Sequence, residues 1–311
     1  MQLKKDILKV LSSNVVNIII GIFTGFLIPA FLPLEDYAYL KTYTLYVTYI
    51  GILHFGVIDG IFIKYGGKLE EEINKSIFKW EHHFIIMFQS IVMIIGISIG
   101  IILKDYIVVA FALSILPINI QALFKLFYQA TGKLNTYAII MVLSPNILLI
   151  FNIIIIFVLK INNYWPFILS TIISNIIVFV WLEIRFYYKY KNIPIKFDIN
   201  SILTNFKVGC FILIGNFSAI FFYAIDRWLV KFTLSIKEFA IYSFAISMMT
   251  LINTMINSVT MTFYPYLARG QKLENLKILK NILLIVGSLS SGSYYFLILL
   301  LGITCQNIVS H

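Results

Sequence analysis

The sequence has little charge and few cysteines. Asp, Glu, Lys and Arg make up 12% of the 311 residues, whereas hydrophobic residues make up 60%. The two cysteines, Cys210 and Cys305, are isolated in or near apolar runs, so they form neither a disulfide framework nor a zinc-binding pattern. A soluble domain cannot cover so much apolar surface, and the composition therefore excludes an ordinary soluble globular protein.

Signatures of chemistry are also missing. The sequence contains no glycine-rich phosphate loop followed by Lys and Ser or Thr, which argues against a nucleotide-driven pump. No catalytic pattern is convincing, and no loop is long enough to carry an active site outside a membrane. We therefore predict no enzyme activity, no cofactor and no metal site.

What the sequence does contain is a series of about nine apolar stretches, and its mean hydropathy is +0.92. A bilayer core needs about 20 apolar residues in a helix. The sequence therefore predicts an all-α, polytopic membrane helix bundle. The predicted spans are 10–33, 37–62, 83–103, 106–130, 136–160, 164–187, 208–232, 238–266 and 279–303.

The basic residues predict the orientation of these spans. With the N-terminus in the cytoplasm, 18 of the 24 Lys and Arg residues lie on the cytoplasmic side. Six lie on the outer side: Lys41, Lys104, Lys160, Arg227, Lys231 and Lys237. Cytoplasmic loops of membrane proteins carry such an excess of positive charge. No soluble basic domain is present to hold a duplex, so the net charge of +10 does not predict nucleic-acid binding.

The chain resembles itself at an offset of 202 residues. At this offset the first three spans fall on the seventh, eighth and ninth, and Asn14, Ala38 and Gly100 fall on Asn216, Ala240 and Gly302. Because the offset covers six spans, both copies keep one orientation, which is typical of a parallel transporter repeat. We predict a six-helix bundle with a cytoplasmic linker at 1–206 and the first three helices of a second bundle at 207–311.

The repeat also predicts an unfinished second bundle, because its tenth to twelfth helices have no counterpart. We expect a C-terminally truncated form of a longer protein, with an active short form as the alternative.

Several segments resemble one transporter family. They are the basic residues before Ser13, the run from Phe55 to Gly60 followed by Lys64 to Gly67, the run from Ala224 to Leu229, and the run from Phe263 to Ala268. These segments resemble the Wzx-type flippases of O-antigen and capsular polysaccharide in the multidrug/oligosaccharidyl-lipid/polysaccharide exporter superfamily. The family has twelve to fourteen helices in two bundles, so this chain departs from it in the last portion.

The resemblance implies a function, a location and partners. It implies that the protein flips a polyprenyl-pyrophosphate-linked oligosaccharide across the bacterial cytoplasmic membrane, by alternating access of two bundles. It further implies contact with membrane lipids, coupling to a proton or sodium gradient, and the polysaccharide polymerase machinery as a further partner. The alternatives are a drug or cation exporter of the same superfamily, and an integral membrane polymerase.

A polar stripe on the fourth span is the first candidate for the substrate cavity. Gln121, Lys125 and Gln129 recur at four-residue spacing, which places them on one helix face. A cation there would suit the lipid pyrophosphate. Lys125 snorkelling to the cytoplasmic headgroups is the alternative.

Other polar residues within the spans are costly in a membrane and are therefore further candidates. Arg227 would hold an anionic group, and amide side chains on two spans would contact sugar hydroxyls or bond neighbouring helices. The acids would bind a coupling cation or simply anchor helix ends. The substrate-binding candidates are Arg227, Asn14, Asn17, Asn253 and Asn257, and the coupling-ion candidates are Asp226 and Asp59.

Overall fold

The structure is a computed structural model that describes residues 2–250, excluding the side chains of residues 2–11 and 14. Asn253, Asn257, Cys305 and the predicted span 279–303 lie outside the described residues, as does the side chain of Asn14. The helices are α1 (Gln2–Phe31), α2 (Leu34–Val47), a short 3-10 helix (Ile50–His54), α3 (Val57–Tyr65), α4 (Lys75–Leu103), α5 (Tyr106–Ala130), α6 (Leu134–Ile153, continued by a π-helix at Ile154–Leu159), α7 (Tyr164–Tyr190) and α8 (Ile199–Thr233). A ninth helix, α9, begins at residue 236 and is described to residue 250.

The described residues contain helices and no strands, which confirms the prediction of an all-α polytopic bundle. Five of these helices are long and apolar enough to cross a membrane, and the bent pair Leu34–His54 and Val57–Tyr65 makes a sixth if it counts as one span.

Three boundaries differ from the prediction. The second span is not one helix over 37–62, because it bends by 60° between the 3-10 helix and α3. The third begins at Lys75, so the histidines at 82 and 83 lie two turns inside α4. The seventh begins at Ile199 instead of residue 208, so only residues 191–198 connect α7 to α8. The additional helical turns of α4 and α8 were not predicted, because their residues include many polar side chains.

The 202-residue offset recurs in the helix boundaries. Phe31 ends α1 and Leu34 begins α2, while Thr233 ends α8 and residue 236 begins α9. Each of the later positions lies 202 residues after its counterpart.

Close packing of α3 on α8 depends on three glycines. A Cβ on Gly60 would overlap the carbonyl oxygen of Asn205, and a Cβ on Gly209 would overlap that of Gly56. Small residues allow helix backbones to approach in this way within membranes. Gly56 has a φ of 82°, a left-handed conformation that glycine adopts without strain, and it provides the bend as well as the contact.

We predict that Gly209→Ala destabilises the protein by about 1–3 kcal/mol or more, because the new methyl group overlaps backbone atoms that cannot move aside. Gly215→Ala on the same helix is the matched control. No atom lies within 4 Å of its added Cβ, so it should be neutral or stabilising by up to about 1 kcal/mol. Thermal unfolding in detergent measures both variants, and equal stability of the two would contradict the close contact.

Candidate functional site

The break in the second span is stabilised by two buried amide side chains. The Nδ2 of Asn119 on α5 donates to the Ile50 carbonyl at 3.3 Å, and the Nε2 of Gln89 on α4 donates to the Leu53 carbonyl at 3.2 Å. The two amides also bond each other at 2.7 Å. Carbonyl groups released by a helix break need such partners, because lipid offers none. The sequence analysis overlooked both amides, although each is a polar residue in an otherwise apolar run.

Asp59 lies just after this break and is buried against α8. Its Oδ2 is 3.8 Å from the Nε2 of His54 and forms no hydrogen bond within residues 2–250. The Nδ1 of His54 accepts from the Gly56 backbone N–H at 3.1 Å. Lys64 bonds to a different carboxylate, so it is not the partner of Asp59. The predicted role of Asp59 as a coupling-ion site stays a prediction.

Glu81 on α4 is fully buried and receives four hydrogen bonds from α3 and α8. Its Oε1 accepts from Lys64 Nζ at 2.7 Å, from Ser201 Oγ at 2.5 Å and from Asn205 Nδ2 at 2.7 Å. Its Oε2 accepts from the Tyr65 hydroxyl at 2.7 Å. A buried carboxylate is stable only with such partners. This cluster therefore joins α3 and α4 to α8.

Among the described residues, clefts lie beside α8 near each of its ends, and we name them inner and outer after the predicted orientation of the chain. The inner cleft has a volume of about 450 Å³ and the outer cleft about 610 Å³. Asn200 lines the inner cleft and Lys231 lines the outer one. These two residues are 31 positions apart on one helix, which corresponds to about 46 Å along its axis. The clefts thus open at opposite ends of the bundle.

The clefts differ in lining. Inner-cleft side chains are mostly hydrogen-bonding groups: Lys64, Asp198, Asn200, Ser201, Thr204 and Asn205. The outer cleft is rich in aromatic rings and contains two lysines: Tyr39, Tyr46, Tyr106, Tyr164, Trp165, Lys104 and Lys231.

The three residues of the predicted stripe on the fourth span, Gln121, Lys125 and Gln129, all lie on α5 and differ in their surroundings. Gln121 donates at 3.0 Å to both the carbonyl and the side-chain oxygen of Asn175 on α7, and Ser144 on α6 joins the same amide at 3.1 Å. Gln129 is exposed at the end of α5. Lys125 is half-buried and has no hydrogen bond or ion pair with any described residue.

The remaining candidates are held by neighbouring helices. Asn17 donates to the Met141 carbonyl on α6 at 3.3 Å, which is an interhelical bond. Asp226 accepts from the Tyr242 hydroxyl on α9 at 2.6 Å and from the Arg227 backbone N–H at 2.7 Å. The guanidinium of Arg227 donates to the Tyr223 carbonyl at 3.3 Å, so the two neighbouring side chains do not pair.

A second buried carboxylate, Glu70, joins the loops before α4 and α6 to the end of α7. It pairs with Lys133 and Lys189 and accepts from the Tyr190 hydroxyl at 3.0 Å. Burial raises the pKa of the Glu70 carboxyl, but its bonds to the two lysines outweigh burial and hold that pKa below its usual range. The hydrogen bond to Glu70 in turn favours the charged form of Lys133 and raises the pKa of its ammonium group. Unlike Glu81, Glu70 has no bond to α8.

Neither metal-binding residues nor comparisons with known proteins assign a role to this site. Within the described residues, no group of three or more His, Cys, Asp or Glu side chains could hold a metal ion. The fold defines an all-α polytopic membrane protein. No family model, no curated protein and no solved structure matches the chain.

We predict that Glu70 contributes to stability only above acidic pH. Because its pKa is lowered on folding, the contribution is present above about pH 4.3, the ordinary value for Glu, and is lost as the pH falls further. Glu70→Gln should cost on the order of 1–3 kcal/mol at pH 7, and the difference from the parent protein should shrink below about pH 4. Unfolding temperatures at pH 3.5 to 7.5 measure this, and a pH-independent difference would refute the ionic role.

Proposed function

We propose that this protein is a membrane transporter that flips a polyprenyl-pyrophosphate-linked oligosaccharide by alternating access. One observation carries the proposal: clefts with polar side chains lie near opposite ends of α8, which packs backbone against backbone on α3 at Gly60 and Gly209. Both clefts fall within the 300–1,000 Å³ typical of ligand sites.

The backbone contact of α3 with α8 has the geometry of a pivot. Gly56, Gly60 and Gly209 bring backbone against backbone, so α8 can tilt without interlocking side chains. The bent span beside it resembles the discontinuous helices that transporters place near their binding sites. The amide bonds of Gln89 and Asn119 support that bent backbone from the opposite side.

The chemistry of the clefts suits an amphipathic, sugar-bearing anion. Hydroxyl and amide groups in the inner cleft provide donors and acceptors for sugar hydroxyls. Aromatic rings in the outer cleft combine an apolar face with a polar edge, and Lys104 and Lys231 supply positive charge there. Lys125 is a further cation that has no partner within residues 2–250 and is therefore available to a phosphate.

A cation or drug exporter is the second candidate, and one observation favours it. The buried Oδ2 of Asp59 lacks a hydrogen bond within the described residues, and an unpaired carboxylate oxygen suits a cationic ligand. We favour the flippase because the outer cleft is lined by two lysines and only one acid, Asp105, which caps α5. The cytoplasmic position of the N-terminus and the bacterial inner membrane belong to the same proposal.

Complementation tests the proposed function. We expect expression of the chain in bacterial cells that lack their own flippase, with a matched sugar repeat, to restore surface polysaccharide and to clear accumulated lipid-linked oligosaccharide. Lys125→Ala should abolish the effect at normal membrane levels, and Lys125→Arg should retain part of it. Lys207→Ala, an exposed lysine on α8, is the matched control and should be fully active.

Failure to restore polysaccharide with every matched repeat would reject the flippase. Resistance to cationic dyes in the same cells, without polysaccharide, would establish the exporter instead. Full activity of Lys125→Ala would show that Lys125 contacts the lipid headgroups and does not bind the substrate.

A further inference from the structure

Four side chains, two from the second span and two from α8, form a cluster of aromatic rings around one lysine. The Nζ of Lys231 donates to the Tyr46 hydroxyl at 2.8 Å and lies 4.4 Å from the centre of that ring. The indole of Trp228 stacks on Tyr46 with 5.6 Å between the ring centres, and its Nε1–H donates to the Tyr49 hydroxyl at 2.9 Å. Both hydrogen bonds therefore cross from one half of the repeat to the other.

This cluster forms the floor of the outer cleft. Tyr46 and Lys231 line the cleft, which lies near the start of α2 and the end of α8. Tyr49 follows Tyr46 by three residues and Trp228 precedes Lys231 by three, so each lies about 5 Å deeper in the bundle. Along the second span, the cluster thus lies between the outer cleft and the bend at Gly56.

Anchoring at the membrane surface does not account for these contacts. Tyr, Trp and Lys are common at membrane interfaces, where their polar ends reach headgroups or water. Here the Nζ of Lys231 and the Nε1 of Trp228 instead bond hydroxyl groups of the second span. The contacts therefore join two helices within the bundle.

The repeat provides a second contact between the halves, but an apolar one. At the 202-residue offset Phe26 on α1 is the counterpart of Trp228 on α8. Phe26 contacts Phe244 on α9 edge to face, with 6.3 Å between the ring centres. Pro29 occupies the position equivalent to Lys231, so this contact has no lysine there. The two related contacts thus differ in polarity.

We propose that Tyr46, Tyr49, Trp228 and Lys231 form a clasp that holds the floor of the outer cleft closed, and that the outer end opens when α8 separates from the second span at this clasp. Hydrogen bonds beside a cleft can be exchanged for bonds to water, so the clasp can release without leaving buried polar groups unpaired. The apolar contact of Phe26 has no such exchange and keeps α1 on α9. The clasp rests on the proposed function for alternating access, the movement that it controls, and not for the substrate.

The reactivity of a single cysteine tests the clasp. Thr42 on α2 lines the outer cleft, is 8% exposed and is not part of the clasp. The cysteine is introduced as Thr42→Cys in a chain with Cys210 and Cys305 replaced by serine, and its reaction rate with a hydrophilic maleimide is measured in detergent. Lys231→Met should raise this rate by about fivefold or more, because a hydrogen bond and a cation–π contact are lost.

Matched variants separate the clasp from a general loss of structure. Lys231→Arg keeps a charged donor over the rings and should stay near the parent rate. Phe26→Leu, at the position equivalent to Trp228, should leave the rate unchanged. An equal rise in Phe26→Leu, or no rise in Lys231→Met, would overturn the clasp.

A buried reporter within the first six spans controls for unfolding. Ser174 on α7 is fully buried, and a cysteine there should stay unreactive when Lys231→Met is introduced. A reactive cysteine at this position would show that Lys231 supports the fold as a whole, and would also overturn the clasp.

Glu81→Gln distinguishes the clasp from the proposed function. Under alternating access this change frees the inner end, so the outer end closes and Thr42→Cys should react more slowly than in the parent. A faster reaction in Lys231→Met with no change in Glu81→Gln would retain the clasp and reject alternating access. The reverse result would reject the clasp and retain alternating access.

Discussion

A membrane-spanning helix cannot bend sharply unless its released backbone groups find partners, and the second span meets that requirement. Asn119 and Gln89 bond its free carbonyls from α5 and α4, and Gly56 adopts the left-handed conformation at the turn. The bend brings Gly60 against α8, where its backbone approaches that of Asn205 closely. Both residues also line the inner cleft.

The two buried carboxylates Glu70 and Glu81 form separate clusters with different consequences. Glu70 draws together the loop before α4, the loop before α6 and the end of α7, all within the first six spans. Glu81 instead connects α3 and α4 to Ser201 and Asn205 on α8. Both carboxylates are buried, yet only the second spans the boundary between the halves of the repeat. In a transporter with moving halves, the Glu81 cluster is the contact that must break for the inner end to open.

Hydropathy predicted the helical class because this signal is local in sequence. The bend was not predictable, because the run over 37–62 stays apolar and the partners of its carbonyls come from two later spans. Glu81 was overlooked for a similar reason: near the start of a span it looks like an interface residue, and its partners are as distant as Ser201 and Asn205. Helical spacing specifies the direction of the Gln121 side chain but not its partner, because that partner, Asn175 on α7, comes from another span.

The central claim is that α8 moves against α3 and α4, with the inner and outer ends opening in turn. Pulsed electron paramagnetic resonance tests it with spin labels at Ile77 and Thr204 across the inner cleft, and at Tyr106 and Ile236 across the outer cleft. The labels are placed in chains with Cys210 and Cys305 replaced by serine. We expect two distance populations for each pair, with Glu81→Gln shifting the inner pair toward the longer distance and the outer pair toward the shorter one. Glu70→Gln should leave both distributions unchanged. A single distance for each pair that Glu81→Gln does not alter would contradict the account.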